Sequence, residues 1–247
     1  MFKRIFFSAV IAGILGGSAI TLVQHFTTTP IILHAETFES IGDDGEKHGT
    51  LKKGVALISP AHAHGTHKDS AKLEAGNWAP ADGLERTMFT FLANIITGVG
   101  FALVLTACFA LSKRRINGRT GVLWGLGAFA IVSLAPALGL PPEVPGARAA
   151  DLTDRQFWWF FCVALTGAGL WAMIFRNGAI WAASGVLLIA LPHILGAPTP
   201  DHIGGSVPPE LAAQFVSASL ATAAVFWCTT GWLAGTFWNR SAAKNQN

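Results

Sequence analysis

The sequence predicts an all-α fold: a polytopic transmembrane helical bundle of about six helices. Three observations carry this. Hydrophobic residues make up 51% of the 247-residue chain and charged residues only 13%, where a soluble domain carries roughly a quarter charged. So few polar side chains cannot cover a soluble surface of this size, which makes lipid the solvent for most of it. The apolar residues also fall into six long runs. About 20 such residues cross a bilayer as a helix, in which every backbone N–H and C=O is paired internally. Finally, basic residues collect on the short segments between alternate runs. The whole chain, 1–247, reads as a single transmembrane domain.

The first span covers about 5–25. Its Met-Phe-Lys-Arg start is that of a signal peptide. Its apolar run is longer than a signal h-region, however, and no small-x-small cleavage site follows, so it is read as a span. The segment 27–87 is the one sizeable polar piece. It is read as a mostly irregular extracytoplasmic loop rich in His and acidic residues, flexible near 42–76, and too poor in apolar residues to fold alone. The further spans are about 88–111, 120–140, 157–175, 179–196 and 211–236. Only Arg176-Asn177-Gly178 separates the fourth from the fifth, which suits a tight helical hairpin. Trp124, Trp181 and Trp238 mark one set of span ends, and Trp158 and Trp159 the other, as in an aromatic belt. Cys108, Cys162 and Cys228 sit inside apolar runs with no CxxC spacing and read as small buried hydrophobes.

Helices 2–3 and 4–5 resemble a parallel repeat. Thr97-Gly98-Val99-Gly100-Phe101 matches Thr166-Gly167-Ala168-Gly169-Leu170. Leu123-Trp124 leads to Pro136 and Pro141 as Ile180-Trp181 leads to Pro192 and Pro198. The small residues permit close packing, the prolines free carbonyls at the helix ends, and repeats of this kind are common in transporters.

Orientation follows from charge. With both termini cytoplasmic, the inner segments hold Lys3, Arg4, Lys113, Arg114, Arg115, Arg119, Arg176, Arg240 and Lys244. All 14 Asp and Glu and all eight His then lie outside, counting His25 and His193 as outer helix ends. The expected location is the inner (plasma) membrane, crossed several times.

This partition concentrates the possible ligands on one face. His25, His34, Glu36 and Glu39 follow the first span, His34 and Glu36 sharing a face if extended and Glu36 and Glu39 if helical. His62, His64 and His67, with Asp69, place three imidazoles and a carboxylate within eight residues, a set suited to borderline divalent cations. His193, after Pro192, needs a partner near the membrane, and Asp201 and His202 follow it. Glu143 and Glu210 end two proline turns, where each also suits a helix start. No Asp, Glu, Lys or Arg lies deep in a span; the buried polar residues are Asn94, Thr97, Ser133 and Thr166. No carboxylate proton relay is visible, and there is no P-loop, nucleotide motif, catalytic triad or metalloprotease spacing. The chain reads as a non-enzyme without an organic cofactor or a nucleic-acid partner.

Three stretches resemble the CbtA family of predicted cobalt transporter subunits. They are Leu22-Val23-Gln24 with Pro30-Ile-Ile-Leu-His-Ala-Glu36; Trp78-Ala-Pro-Ala-Asp-Gly-Leu-Glu-Arg-Thr87 after the His-rich loop; and Gly139-Leu-Pro-Pro-Glu143 with Leu191-Pro-His-Ile-Leu-Gly-Ala-Pro198. The resemblance covers essentially the whole chain. It implies uptake of cobalt as substrate, linked to cobalamin biosynthesis, beside a CbtB-like single-span partner subunit. It also implies metal contacts at Glu36, at the His62–His67 cluster and at His193. The ligand types alone serve other divalent metals as well. The family is often described with five spans, which would put the termini on opposite sides; six spans keep the charge partition.

Two other readings stand beside this one. His25 and His193 at outer helix ends could ligate a haem of a b-type electron-transfer subunit, which a Soret band would favour. The lack of buried charge also suits a non-transporting scaffold or metal chaperone, a reading that flux from this chain alone in liposomes would exclude.

Overall fold

The computed structural model describes residues 1–42, 80–81, 83–112, 114–200 and 204–243. Seven helices appear among them: α1 (Phe2–Phe26), α2 (Thr28–Gly42), α3 (Leu84–Ser112), α4 (Gly118–Ala137), α5 (Leu152–Phe175), α6 (Ala179–Leu195) and α7 (Pro209–Ala243). The polytopic helical bundle expected from the sequence is what forms. Five helices (α1, α3, α4, α5 and α7) are long and apolar enough to cross a membrane. The run expected as the fifth span becomes α6, a shorter apolar helix of 17 residues, at the low end of what a bilayer needs.

Contacts fix how the helices alternate. Arg4 at the start of α1 donates through Nε to Trp238 O near the end of α7 (2.9 Å), and its guanidinium lies 3.9 Å from that indole. The start of α1 and the end of α7 therefore meet at one end of the bundle, called the basic end below. The Arg114 guanidinium lies 4.7 Å from the Phe175 ring, and the Arg176 guanidinium 4.5 Å from Trp181. The α3–α4 and α5–α6 turns are thus at the basic end too. Gly178, at φ 110°, reverses the chain between α5 and α6. At the opposite end, Trp158 of α5 meets His193 of α6, with ring centroids 5.8 Å apart. α6 thus lies antiparallel to α5, and among the described residues the start of α1 and the end of α7 lie at the same end of the bundle.

Association rests on glycine. Apolar side chains gain little by leaving lipid for each other, so helices associate where small residues let backbones approach. Gly13 and Gly17 of α1 face α3 across Gly98, where a β-carbon would lie 2.6 Å from Gly13 O. Gly121 and Gly125 of α4 face Gly231 and Gly235 of α7. Gly169 of α5 faces Gly185 O, again 2.6 Å from an added β-carbon. Large apolar side chains such as Phe157 and Ile180 point outward, 72% and 77% exposed, as a lipid-facing surface requires.

The candidate repeat is not carried into this packing. α5 and α6 pack on each other as a hairpin, whereas α3 packs on α1 and α4 on α7. Gly98 is the close-contact glycine of its stretch, but Gly169 is that of the other, while nothing lies near an added β-carbon at Gly100.

Residues 28–42, expected as irregular loop, are instead helical. Pro30 sits in the first turn, where a missing N–H costs little. Ile31, Ala35 and Phe38 then form an apolar face that packs with Val144, Val207 and Leu211. α2 thereby caps the bundle over the start of α7. The 144–147 turn is joined to the α6–α7 connection by an antiparallel bridge between Ala147 and Gly205. α5 starts earlier than expected, at Leu152, because Asp151 caps it by accepting from Thr153 N (2.8 Å) and Asp154 N (3.3 Å).

The glycine seams make a direct prediction. Gly231→Val drives a side chain into Gly121 O and should destabilise the protein by about 1–3 kcal/mol. Gly127→Val meets open space and should cost far less. Thermal unfolding of the detergent-solubilised protein checks the contrast; equal shifts would remove the seam from the account.

Candidate functional site

The end opposite the basic one carries every described acidic side chain: Glu36, Glu85, Glu143, Asp151, Asp154 and Glu210. The described histidines, His25, His34 and His193, lie there as well. Two ion pairs tie helices together. Glu36 of α2 receives both guanidinium nitrogens of Arg86 of α3, Nη1 at 3.0 Å to Oε2 and Nη2 to Oε1. Glu143 pairs with Arg155 of α5 at 2.8 Å. The forked Glu36–Arg86 pair is directional and stronger than neutral hydrogen bonds.

Beneath the Glu36–Arg86 pair lies a cavity of about 350 Å³. On α2, Thr28 and Ile32 line it and Glu36 follows on the same face one turn later. On α3, Asn94, Thr97 and Phe101 line it, two turns below Arg86. Gln24 of α1 and Ser219 and Thr222 of α7 add further polar groups to a largely apolar lining that contains no charged residue. Asn94 Nδ2 donates to Gln24 Oε1 (2.6 Å) and to Thr21 Oγ1 (2.9 Å), which holds its amide oriented. The Thr27 and Thr222 hydroxyls meet at 3.2 Å.

The wall contributed by α4 is irregular. Residues Ala130–Leu134 are π-helical, with Ala135 N–H reaching five residues back to Ala130 O, and Pro136 just beyond them has no N–H to continue the pattern. Val132 and Ser133 of this segment line the cavity. Trp227 Nε1 donates to Ser133 Oγ at 3.2 Å. π segments of this kind are frequent at functional sites.

The sequence-derived candidates are dispersed. His25 is exposed, its ring against Phe26 (5.2 Å). His34 is exposed against Phe38 (5.4 Å). Glu36 is held by Arg86. His193 lies against Trp158, and both its Nε2 and the Trp158 Nε1 are buried without a hydrogen-bond partner. His25 and His193, the possible haem pair, sit on helices that pack on different partners. His62, His64, His67, Asp201, His202 and the side chain of Glu39 lie outside the described residues. Among the described residues no three of His, Cys, Asp and Glu come together as a metal site.

Gln24 and Arg86 fall in stretches that carry the family resemblance but are not site candidates there, and Ser219 and Thr222 carry no sequence signal. Arg86 and Glu36 are 50 residues apart, so no local spacing links them. Pro136, four residues after Val132, was the one local signal for the irregular wall.

A bundle of long apolar helices with acidic groups gathered at one end defines a polytopic helical membrane protein. The family model described as "Probable cobalt transporter subunit (CbtA)" matches residues 2–239, nearly the full length, and the chain belongs to the CbtA family. No curated protein and no solved structure matches it.

Glu143 supplies a pH test for this end. Burial lifts its carboxyl above the ordinary 4.5, and the Arg155 charge takes part of the lift back. The folded protein therefore holds this proton more tightly than the unfolded chain. The stabilisation is complete below pH 4.5 and is lost as pH rises through the raised value. Glu143→Gln should flatten the dependence of the thermal midpoint on pH across about pH 4–6. An unchanged profile would assign the slope to other groups.

Proposed function

We propose that this chain is the membrane subunit of a cobalt uptake transporter that captures its metal at the acidic, histidine-bearing end. That end faces out of the cytoplasm in the inner membrane, with both termini cytoplasmic. Family membership carries the reading. The gathering of described acids and histidines at one end, and of Arg4, Arg114, Arg176 and Arg240 at the other, supports the orientation, since basic residues favour the cytoplasmic side.

Glu36, Glu39, His34 and His25 follow the first span, and His62, His64 and His67 supply imidazoles from the adjoining loop. His193 offers a buried, unpartnered Nε2, and Asp201 and His202 lie a few residues beyond it. Imidazole and carboxylate together suit a borderline divalent ion. Arg86 holds Glu36 until a cation competes for the carboxylate; the ion pair keeps the ligand placed. A CbtB-like single-span partner completes the transporter, and the resemblance ties its product to cobalamin biosynthesis.

Uptake of radioactive cobalt by cells producing the chain with its partner tests the residues. His193→Ala, and the triple replacement of His62, His64 and His67 by Ala, should each lower uptake at limiting cobalt by about tenfold, the effect of losing one charge-assisted contact. Unchanged uptake in both variants would remove these residues from the capture site. Competition by nickel, zinc and copper ranks the metals.

A further inference from the structure

The cavity beneath Glu36–Arg86 is closed at its far side by the α1–α7 seam. Ile20 of α1 and Trp227 of α7 line the cavity floor. One turn further, Gly16 faces Thr230, and a β-carbon at Gly16 would sit 2.6 Å from Thr230 Oγ1. Thr230 is fully buried, and its hydroxyl makes no hydrogen bond. Two turns beyond Gly16, Ser8 is 1% exposed and its hydroxyl is likewise unpartnered. Between them Ala12 and Ala234 are fully buried and pack in one cluster with Leu105, Phe109 and Trp238. Ser8 then lines a second cavity of about 350 Å³, with Phe7, Arg240 and Ser241, at the basic end.

Two unbonded hydroxyls in a hydrocarbon-facing bundle are costly to keep. A threonine or serine on a helix ordinarily satisfies itself on the carbonyl a turn back, as Thr21 and Thr106 do here. Thr230 and Ser8 do not, and both lie on the one seam that joins the two cavities.

We propose that the transported cation crosses along this α1–α7 seam: the upper cavity receives it still hydrated, and Thr230 and then Ser8 are the first side-chain oxygens it meets on the way to the basic end. The inference rests on the metal-transport reading above and adds its route. Six waters at about 30 Å³ each occupy roughly 180 Å³, which the 350 Å³ cavity accommodates. Gln24, Asn94, Thr97, Ser133, Ser219 and Thr222 offer neutral oxygens and amides. These bind the water shell by hydrogen bonds and do not replace it, as carboxylates or thiolates would. At the far mouth the charge of Arg240 disfavours a resident cation, so that cavity releases and does not retain.

Thr230→Val separates a route from a structural role. Removing an unbonded buried hydroxyl at constant shape should leave stability unchanged or raise it. On the route, the same change should lower cobalt uptake by about tenfold, with Thr230→Ser close to wild type. Ser8→Ala should behave as Thr230→Val does. Uptake is read in cells producing the full chain with its partner, beside the thermal midpoint of each purified variant. Wild-type uptake with unimpaired Thr230→Val and Ser8→Ala variants would overturn the route alone. Absence of cobalt uptake by the wild type above cells lacking the chain would overturn the transport reading and the route with it.

Discussion

Two apolar helices in lipid are already solvated by hydrocarbon, so side-chain burial gives them little reason to pair. What they gain is close backbone contact, and only glycine permits it. Gly13 and Gly17 against Gly98, Gly121 and Gly125 against Gly231 and Gly235, and Gly169 against Gly185 are the places where the bundle is held. At these points backbone meets backbone at distances where Cα–H groups approach carbonyl oxygens. Everything else in the structure is arranged around these seams. The α1–α3 pair meets the α4–α7 pair where Gly16 faces Thr230. Toward the basic end Ala9, Ala12 and Ala234 pack in one buried cluster with Leu105, Phe109 and Trp238, which fills the space between the pairs. Toward the other end Phe101, Phe226 and Trp227 stand between them, and the pairs separate. The cavity occupies that separation.

The charges obey the same geometry. The described segments keep ionised groups out of the bundle interior, where desolvation would be expensive. At the basic end, guanidinium groups lie over the rings of Trp238, Phe175 and Trp181, which meets both the lipid boundary and the cation. At the opposite end, the charges that bridge helices are paired, Glu36 with Arg86 and Glu143 with Arg155. These pairs clamp α2 and the 138–151 turn over the bundle. α2 is therefore more than a connection: its apolar face packs on α7 while Thr28 and Ile32 close one side of the cavity.

One wall of the cavity is deliberately irregular. An uninterrupted α-helix would turn each carbonyl inward along its axis. The π segment at Ala130–Leu134 shifts that pattern by one residue just ahead of Pro136, which has no N–H to donate. The hydroxyl of Ser133 is fixed from outside by Trp227. Irregular backbone at membrane depth is tolerated where it lines a cavity, and here it does.

The amino-acid sequence by itself determined the membrane class, the approximate spans, the alternation of charge and the family resemblance. Each of these is a local or compositional property: run length, residue type and the order of short motifs. It also exposed the small residues of the spans, because glycine spacing is legible without a structure. It did not determine which glycine would serve which partner, so the apparent repeat at 97–101 and 166–170 packs in two different ways. Nor did it show that the stretch after the first span is helical, since Ile31, Ala35 and Phe38 define a face only once Val144, Val207 and Leu211 are there to cover it. The ion pair of Glu36 with Arg86, the gathering of Gln24, Asn94 and Thr222 around one cavity, and the unbonded hydroxyls of Thr230 and Ser8 were decided by tertiary structure alone. These groups are tens to hundreds of residues apart in the chain, and only the packing of four helices brings them to one axis.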